Sequence, residues 1–297
     1  MHSFEKLYNS LGGILVGAAG LIDIKRRIKS VENTKKITKA MGLVATSKLR
    51  KVRKELVANK QYKELCEELI KEVVANLSAE YESTYFKERE GEKLYIILTS
   101  DTGLCGGYNN NIVLYLKEIM GNNIDNSKVV VVGGKGISYI RKYGLSSFSE
   151  FVDISDVPTT NEINKIYNDA IYLYEKGEVA EVNIVYTDFV SPVKQDVKHT
   201  RLLPVTKNEG AAKQYIIEPN EDEVFKSTID MYLKSQLRTC MLSAKASEQG
   251  SRMSAMNGAT DNANEILQNL NVLYNRIRQT IITQEISEIV GGAEAQK

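Results

Sequence analysis

The sequence predicts an α/β chain: a long antiparallel coiled coil of the N- and C-terminal helices plus a central Rossmann-like α/β domain. Three observations predict it. The four prolines, Pro158, Pro192, Pro204 and Pro219, all lie between positions 158 and 219 of the 297 residues. Proline costs ~3 kcal/mol in a helix interior, so both ends are free to form long uninterrupted helices. Apolar residues recur at helical spacing through both ends, and between them β-branched runs alternate with helical patterns, the mark of a mostly parallel, doubly wound sheet. The expected divisions are an extension over residues 1–20, an N-terminal helix over 21–80, the α/β domain over 90–218 and a C-terminal helix over 220–297.

The N-terminal helix is expected from about Asp23 to Leu77. Alternate steps of four and three from Ile24 give Ile28, Val31, Lys35, Thr38, Gly42, Ala45, Leu49, Val52, Leu56, Asn59, Lys63, Cys66 and Ile70. The stripe loses apolar character at Lys35–Gly42 and at Asn59–Lys63. Ile37, Met41 and Val44, then Tyr62, Leu65 and Leu69, are expected to take over there. Such drift implies a period nearer 3.6 than 3.5 and a loosely wound coil.

In the centre, Leu94–Thr99, Val129–Val132, Phe148–Val152 and Val182–Thr187 read as strands. Asn111–Met120, Ile137–Tyr143 and Asn161–Lys176 read as helices, the last capped by Thr160, and Gln195–Val205 reads as an added edge strand. The C-terminal helix is expected from Glu221 to Val290. Asn220 caps it, Glu223 completes a capping box, and Glu221, Asp222 and Glu223 face the positive end of its dipole. Gly291-Gly292 predicts its stop. Its middle, Ser243 to Ala259, is rich in small residues that let another helix approach closely. Helices of this length draw their stability from burying one face, so the economical arrangement pairs the two ends.

Composition narrows the function. Apolar residues at 42% and charged residues at 26% fit a folded soluble protein. No run of ~18 apolar residues is present to span a membrane. Cys66, Cys105 and Cys240 stand singly, without a CxxC, which excludes a cysteine zinc site or a disulfide framework. With only His2 and His199, a histidine metal site is excluded, and no motif places a histidine to activate Cys105 or Asp101. Net charge is +1, yet from Ile24 to Leu56 twelve basic residues face only Glu32 and Glu55. That stretch reads either as a solvated helix face or as a surface beside an acidic partner. A basic coiled-coil scaffold or nucleic-acid adaptor is the alternative, with binding that falls steeply with salt.

Two glycine clusters follow strands as phosphate loops do. Gly103-Leu-Cys-Gly-Gly107 does not spell G-x-G-x-x-G. Gly133-Gly134-Lys135-Gly136 lacks the upstream glycine and the final Ser/Thr of a Walker A loop. Both read as tight turns leaving parallel strands, so no cofactor is expected.

Ile24-Lys-Arg-Arg-Ile-Lys-Ser-Val-Glu-Asn-Thr-Lys-Lys-Ile-Thr-Lys-Ala-Met41 with Val44-Ala-Thr-Ser-Lys-Leu49 closely resembles the N-terminal helix of the gamma subunit family of bacterial F-type ATP synthase. Ser100-Asp-Thr-Gly-Leu-Cys-Gly-Gly-Tyr-Asn109 resembles that family's central loop. Arg252-Met-Ser-Ala-Met256, Ala259-Thr-Asp-Asn-Ala263 and Ile282-Thr-Gln-Glu-Ile-Ser-Glu-Ile-Val-Gly-Gly292 resemble its C-terminal helix. The match runs from about Leu21 to Gly292 in the family's order.

The resemblance implies a non-catalytic central rotor shaft that couples ion-driven rotation of the membrane c ring to ATP synthesis or hydrolysis. It implies the alpha and beta subunits of the catalytic hexamer, the epsilon subunit and the c ring as partners, with no nucleic acid. It places the chain on the cytoplasmic face of the bacterial plasma membrane, held there only through the complex. Arg278, Gln279 and Thr283 match contacts of the upper C-terminal helix with beta, Arg252 a lower position near the same mobile region, and Met41 the meeting of shaft and beta. Tyr215 and Glu218 fall in the segment expected near the c ring and epsilon. Against these stand plain readings: coiled-coil packing for Met41 and Met256, and a solvated helix face for Arg252 and Arg278. The paired cysteines of the chloroplast form are missing, so no thiol switch is expected.

Met1–Gly20 precedes the family's usual start. Its apolar run Leu11–Ile22 is a poor signal peptide, since Glu5 offsets Lys6 and dense positive charge follows Ile24. A misassigned start codon is the hypothesis here: initiation at Val16 would give a family-like N terminus. An intact mass that includes Met1–Leu15 would sink it.

Overall fold

The computed structural model describes residues 18–78, 80–121, 123–192, 194–206 and 217–295. The expectations for Tyr215 and for the start of the chain lie outside them. The chain divides into two compact units. One joins residues up to Gly42 with those from Met256 onward, and the other is Leu43–Ala255.

The elements run α1 (Ala18–Asn76), β1 (Lys93–Leu98), α2 (Tyr108–Met120), β2 (Ser127–Val132), α3 (Gly134–Lys142), β3 (Ser149–Phe151), α4 (Thr160–Glu175), β4 (Glu181–Phe189), β5 (Gln195–Leu203) and α5 (Glu221–Glu294). The sheet has the order β3-β2-β1-β4-β5. Its first four strands are parallel, with Ile96 between Val130 and Ile184, and β5 is antiparallel on the edge beside β4. The chain thus winds outward from β1 through β2 to β3. It then returns to the other side of β1, as in a doubly wound fold.

Alternation along the strands sends side chains to two different cores of the Leu43–Ala255 unit. Tyr95, Ile97, Val129, Val131 and Val185 pack with Ile112, Val113 and Leu116 of α2 and Ile140 of α3. Leu94, Ile96, Leu98, Val130, Ile184 and Tyr186 pack with Ile166, Tyr167 and Tyr174 of α4. The same core takes in Ile70 and Val74 of α1 and Phe225, Ile229, Leu233 and Leu237 of α5. Being covered on both faces is why these strands read as continuous apolar runs.

The long helices pair antiparallel inside each unit. In the Leu43–Ala255 unit, Leu49, Val52 and Leu56 of α1 meet Leu242 and Ala246 of α5. Asn59 donates to the Ser235 carbonyl at 3.3 Å and to Thr239 Oγ1 at 2.8 Å. In the other unit Thr38 and Thr260 share a 2.8 Å hydroxyl bond. A Cβ on Gly42 would lie 3.1 Å from Asn257 Oδ1 and 3.6 Å from Met256 Cβ.

These contacts correct the expected drift of the stripe. Ile37, Val44, Tyr62, Leu65 and Leu69 are exposed, whereas Asn59 and Cys66 are buried. The four-three stepping holds because Thr38 and Asn59 find partners across the seam, which satisfies them without turning the helix.

Three further readings change. The cap of α4 is Thr159, not Thr160, in a reciprocal capping box with Glu162. At the start of α5, Asn220 Oδ1 accepts from the Glu223 amide at 2.9 Å as expected, but Glu223 returns its bond to the Asn220 side-chain amide. The helix also runs through Gly291-Gly292 to Glu294. Glycine disfavours a helix by only ~1 kcal/mol, and neither residue adopts a positive φ to reverse the chain.

Candidate functional site

In a doubly wound sheet, ligands bind outside the carboxyl ends of the strands where the strand order reverses. Here that place is between β1 and β4, and the protein's own α5 fills it. Tyr108, the first residue of α2, donates its hydroxyl to the Leu98 carbonyl at the end of β1 (3.2 Å) and to the Ala244 carbonyl of α5 (3.1 Å). Burial, then the nearby negative charge of Glu248, push that hydroxyl well above the ordinary tyrosine range, which keeps it a donor. Ser247 donates to the Thr187 carbonyl of β4 at 3.0 Å. Ser243 accepts from the Phe189 amide and donates to Asp188, each within 2.9 Å. Burial raises the Asp188 carboxyl, but hydrogen bonds from Lys198 and Ser243 outweigh it and hold the group below its ordinary value.

The glycine clusters belong to this closure. A Cβ on Gly133, at φ +105°, would sit 2.4 Å from the Thr99 carbonyl oxygen, and one on Gly136 would sit 2.2 Å from Thr99 Oγ1. Both positions are glycine because the end of β1 and the start of α3 close on each other. The small residues of α5 serve the same end. A Cβ at Gly250 would meet Gln195 Nε2 at 2.9 Å and Phe189 at 3.5 Å, so this stretch admits the strand ends and not only a second helix.

The expected site residues fall in separate places. Arg252 is buried at 7% exposure, not part of a solvated face. Its Nη2 donates to the Thr102 carbonyl and Oγ1, both at 3.0 Å, and its Nη1 meets Glu248 at 2.8 Å. Met41 is half-buried on α1. Arg278, Gln279 and Thr283 are exposed on α5, with Thr283 Oγ1 donating to the Gln279 carbonyl at 2.9 Å. Glu218 is exposed just before α5.

Sequence reasoning missed Lys245, which is about as buried as Arg252, and Glu248, which is more buried. Their spacing with Arg252 puts all three on one helix face, a pattern that also describes an ordinary solvated face. Only the small residues around them pointed inward. Three or more His, Cys, Asp or Glu arranged to hold a metal ion do not occur among the described residues. No described helix is long and apolar enough to cross a membrane.

Comparisons with known proteins agree with this geometry. The profile of the family described as ATP synthase matches residues 20–296. The ATP synthase gamma chain of Clostridium botulinum (strain Eklund 17B / Type B) is 55% identical over 283 residues, covering 95% of this chain and 100% of that one. The gamma chain of Clostridium beijerinckii is 48% identical over 282 residues, with the same two coverages. A chain from the central stalk and c-ring structure of the Tetrahymena thermophila mitochondrial ATP synthase is 26% identical. It covers 75% of this chain and 99% of its own at a TM-score of 0.58. A rotor chain of the Euglena gracilis mitochondrial enzyme shares the fold at 15% identity, with a TM-score of 0.67, 90% of this chain and 100% of its own.

A helical pair packed on a sheet whose switch-point crevice is filled by the chain's own helix is the fold shared with these stalk chains. The chain belongs to the ATP synthase gamma chain family. It is a non-catalytic subunit, the central rotor shaft of its complex.

Proposed function

We propose that this shaft works by presenting exposed cations and polar groups to acidic surfaces of the beta subunits as it turns. The observation that carries the reading is the state of the twelve basic residues between Ile24 and Leu56. Lys35 is half-buried and the other eleven are exposed. Among the described residues, ion pairs hold only Arg26, with Asp23 at 3.6 Å, and Lys48, with Asp156 at 2.9 Å. Exposed, hydrated cations attract an acidic partner over about a Debye length, ~8 Å at physiological salt, without locking one angle. A surface of this kind can slide past each beta subunit in turn. Coupling then comes from differential contact with different beta conformations.

Arg278, Gln279 and Thr283 are the contacts at the upper part of α5, and Met41 lies where α1 meets beta. Arg252 acts from within, by holding the loop after β1. The exposed row of Ile282, Ile286 and Ile289, at helical spacing, fits an apolar collar formed by the hexamer. Glu218 belongs to the surface that meets epsilon and the c ring. The chain is peripheral on the cytoplasmic face of the bacterial plasma membrane, held through the complex.

The test is reconstitution with alpha and beta subunits. Lys51→Glu, Arg53→Glu and Lys54→Glu together should slow ATP hydrolysis by the assembled complex about tenfold. Unchanged hydrolysis at every salt concentration would remove the electrostatic reading.

A further inference from the structure

The loop after β1 is tied to α5 by a closed circuit of buried charges. Asp101 meets Lys245 Nζ at 3.4 Å, Lys245 meets Glu248 at 3.6 Å, and Glu248 meets Arg252 at 2.8 Å. Arg252 returns to Thr102 and Gly103, beside Asp101. Side-chain exposures are 19% for Asp101, 10% for Lys245, 4% for Glu248 and 8% for Arg252. One Asp101 oxygen also accepts the backbone amides of Gly134 and Asp153, each at 3.0 Å. The turns that follow β1, β2 and β3 therefore converge on one carboxylate, and that carboxylate faces the helix.

A buried circuit of this kind is a poor source of stability. Desolvating four charges costs as much as their attraction returns, and an apolar core of similar volume often does better. What directional pairs add is a fixed geometry. Around them α5 presents Ser243, Ala244, Ala246, Ser247, Gly250 and Ser251. These small residues offer few long side chains to interlock; Ser243 and Ser247 tie the helix to the end of β4, and the charge circuit ties it to the turns after β1, β2 and β3. The circuit spans helix positions 245, 248 and 252, nearly two turns, and grips both ends of the 101–103 segment.

We propose that Asp101, Lys245, Glu248 and Arg252 form a torsional clamp that carries load between α5 and the α/β domain. The clamp rests on the shaft reading, since only a turning shaft has load to carry. Its members are positioning residues: they touch no nucleotide and set the angle at which the helix is held. Glu248 is the key, because it alone bridges the two cations. Glu248→Gln keeps the shape and removes the charge that both cations share. Arg252→Lys keeps the charge and removes the fork that reaches Thr102 and Gly103.

The experiment uses the reconstituted complex, with the hexamer fixed and a bead attached to the α/β domain through Lys117→Cys on the exposed face of α2. Angular variance of the bead is recorded during the pause for ATP, together with hydrolysis in solution. Thr159→Ala, which removes the α4 cap away from the circuit, is the control for lost stability. The clamp predicts that Glu248→Gln and Arg252→Lys each raise the variance at least twofold, while hydrolysis in the Glu248→Gln complex stays within twofold of native and the control keeps native variance. Native variance in assembled Glu248→Gln and Arg252→Lys complexes would overturn the clamp. So would failure of both variants to assemble, since the circuit would then be a folding requirement. If the native chain itself does not rotate, it is the shaft reading that fails.

Discussion

Replacing Gly133 by alanine separates a packing role for the glycine clusters from a phosphate-binding one. The new methyl group would start 2.4 Å from the Thr99 carbonyl oxygen and 2.8 Å from Thr99 Oγ1. Thr99 cannot yield, because its amide and its hydroxyl both donate to the Val132 carbonyl, at 2.8 and 2.7 Å. The substitution also places a side chain at φ +105°, a conformation that costs about 1–3 kcal/mol outside glycine. Overpacking adds about 1–3 kcal/mol, for a total of about 2–6 kcal/mol. That is a large part of the ~5–15 kcal/mol that holds a typical domain.

Gly144→Ala is the matched control. It sits at φ +76° with nothing within 4 Å of its Cβ, so it carries the backbone cost alone. The assay is urea unfolding of the full chain, followed by tyrosine fluorescence, since the chain has sixteen tyrosines and no tryptophan. At a slope of ~2 kcal/mol per molar urea, Gly133→Ala should lower the midpoint by about 1–3 M and by more than Gly144→Ala. Equal midpoints for the two variants would refute the packing argument. A native midpoint together with lost nucleotide or phosphate affinity in Gly133→Ala would restore the phosphate-loop reading.

Four other outcomes follow from the geometry. Thr159→Ala should destabilise the α/β domain by about 1 kcal/mol, the usual worth of an N-cap, and Thr160→Ala by much less, as urea midpoints will show. Cys66, Cys105 and Cys240 are all buried, and burial pushes the Cys240 thiol up to about 12. The folded chain at pH 8 should therefore resist iodoacetamide for hours while the unfolded chain takes up three labels, as read by mass. The Glu162, Glu181 and Asp188 carboxyls are raised by burial but held lower, on balance, by hydrogen bonds and ion pairs. The stability they add is complete above their ordinary values, near 4.5 for glutamate and 3.8 for aspartate. It is lost as pH falls through the lower folded values, so urea midpoints should be level from pH 7 to 5 and drop below about 4.5. Arg278→Ala with Gln279→Ala should leave the urea midpoint of the free chain unchanged, both residues being exposed, yet reduce hydrolysis of the reconstituted complex about tenfold.

Most of the architecture was legible because its signals are local and strong. Val129–Val132 and Leu94–Leu98 are apolar at every position since both sheet faces are covered. The confinement of proline to positions 158–219 marked the two helical ends. The details that failed depend on tertiary partners. Asn59 and Thr38 look like breaks in an apolar stripe until Thr239 and Thr260 appear across the seam. The cap is the exception: Thr159 stands three residues before Glu162, the spacing of a capping box, so a local signal already favours it over Thr160. The site was legible unevenly. Arg278, Gln279 and Thr283 came from resemblance, and their exposure suits them for contact. Arg252 came the same way, but its burial against Thr102 and Gly103 depends on how the loop after β1 meets α5, which no spacing reveals. Lys245 and Glu248 were missed for the same reason: a charged face on a helix reads the same whether it meets water or a loop.

The central claim is that this chain turns inside its complex. The most direct measurement attaches a bead through Lys117→Cys, the native cysteines being buried, and follows it on an immobilised hexamer of alpha and beta subunits supplied with ATP. The account predicts rotation in one direction, in three equal steps per turn, with pauses that lengthen as ATP is diluted. A chain that joins the hexamer while hydrolysis proceeds, yet whose bead holds one fixed angle, would contradict it.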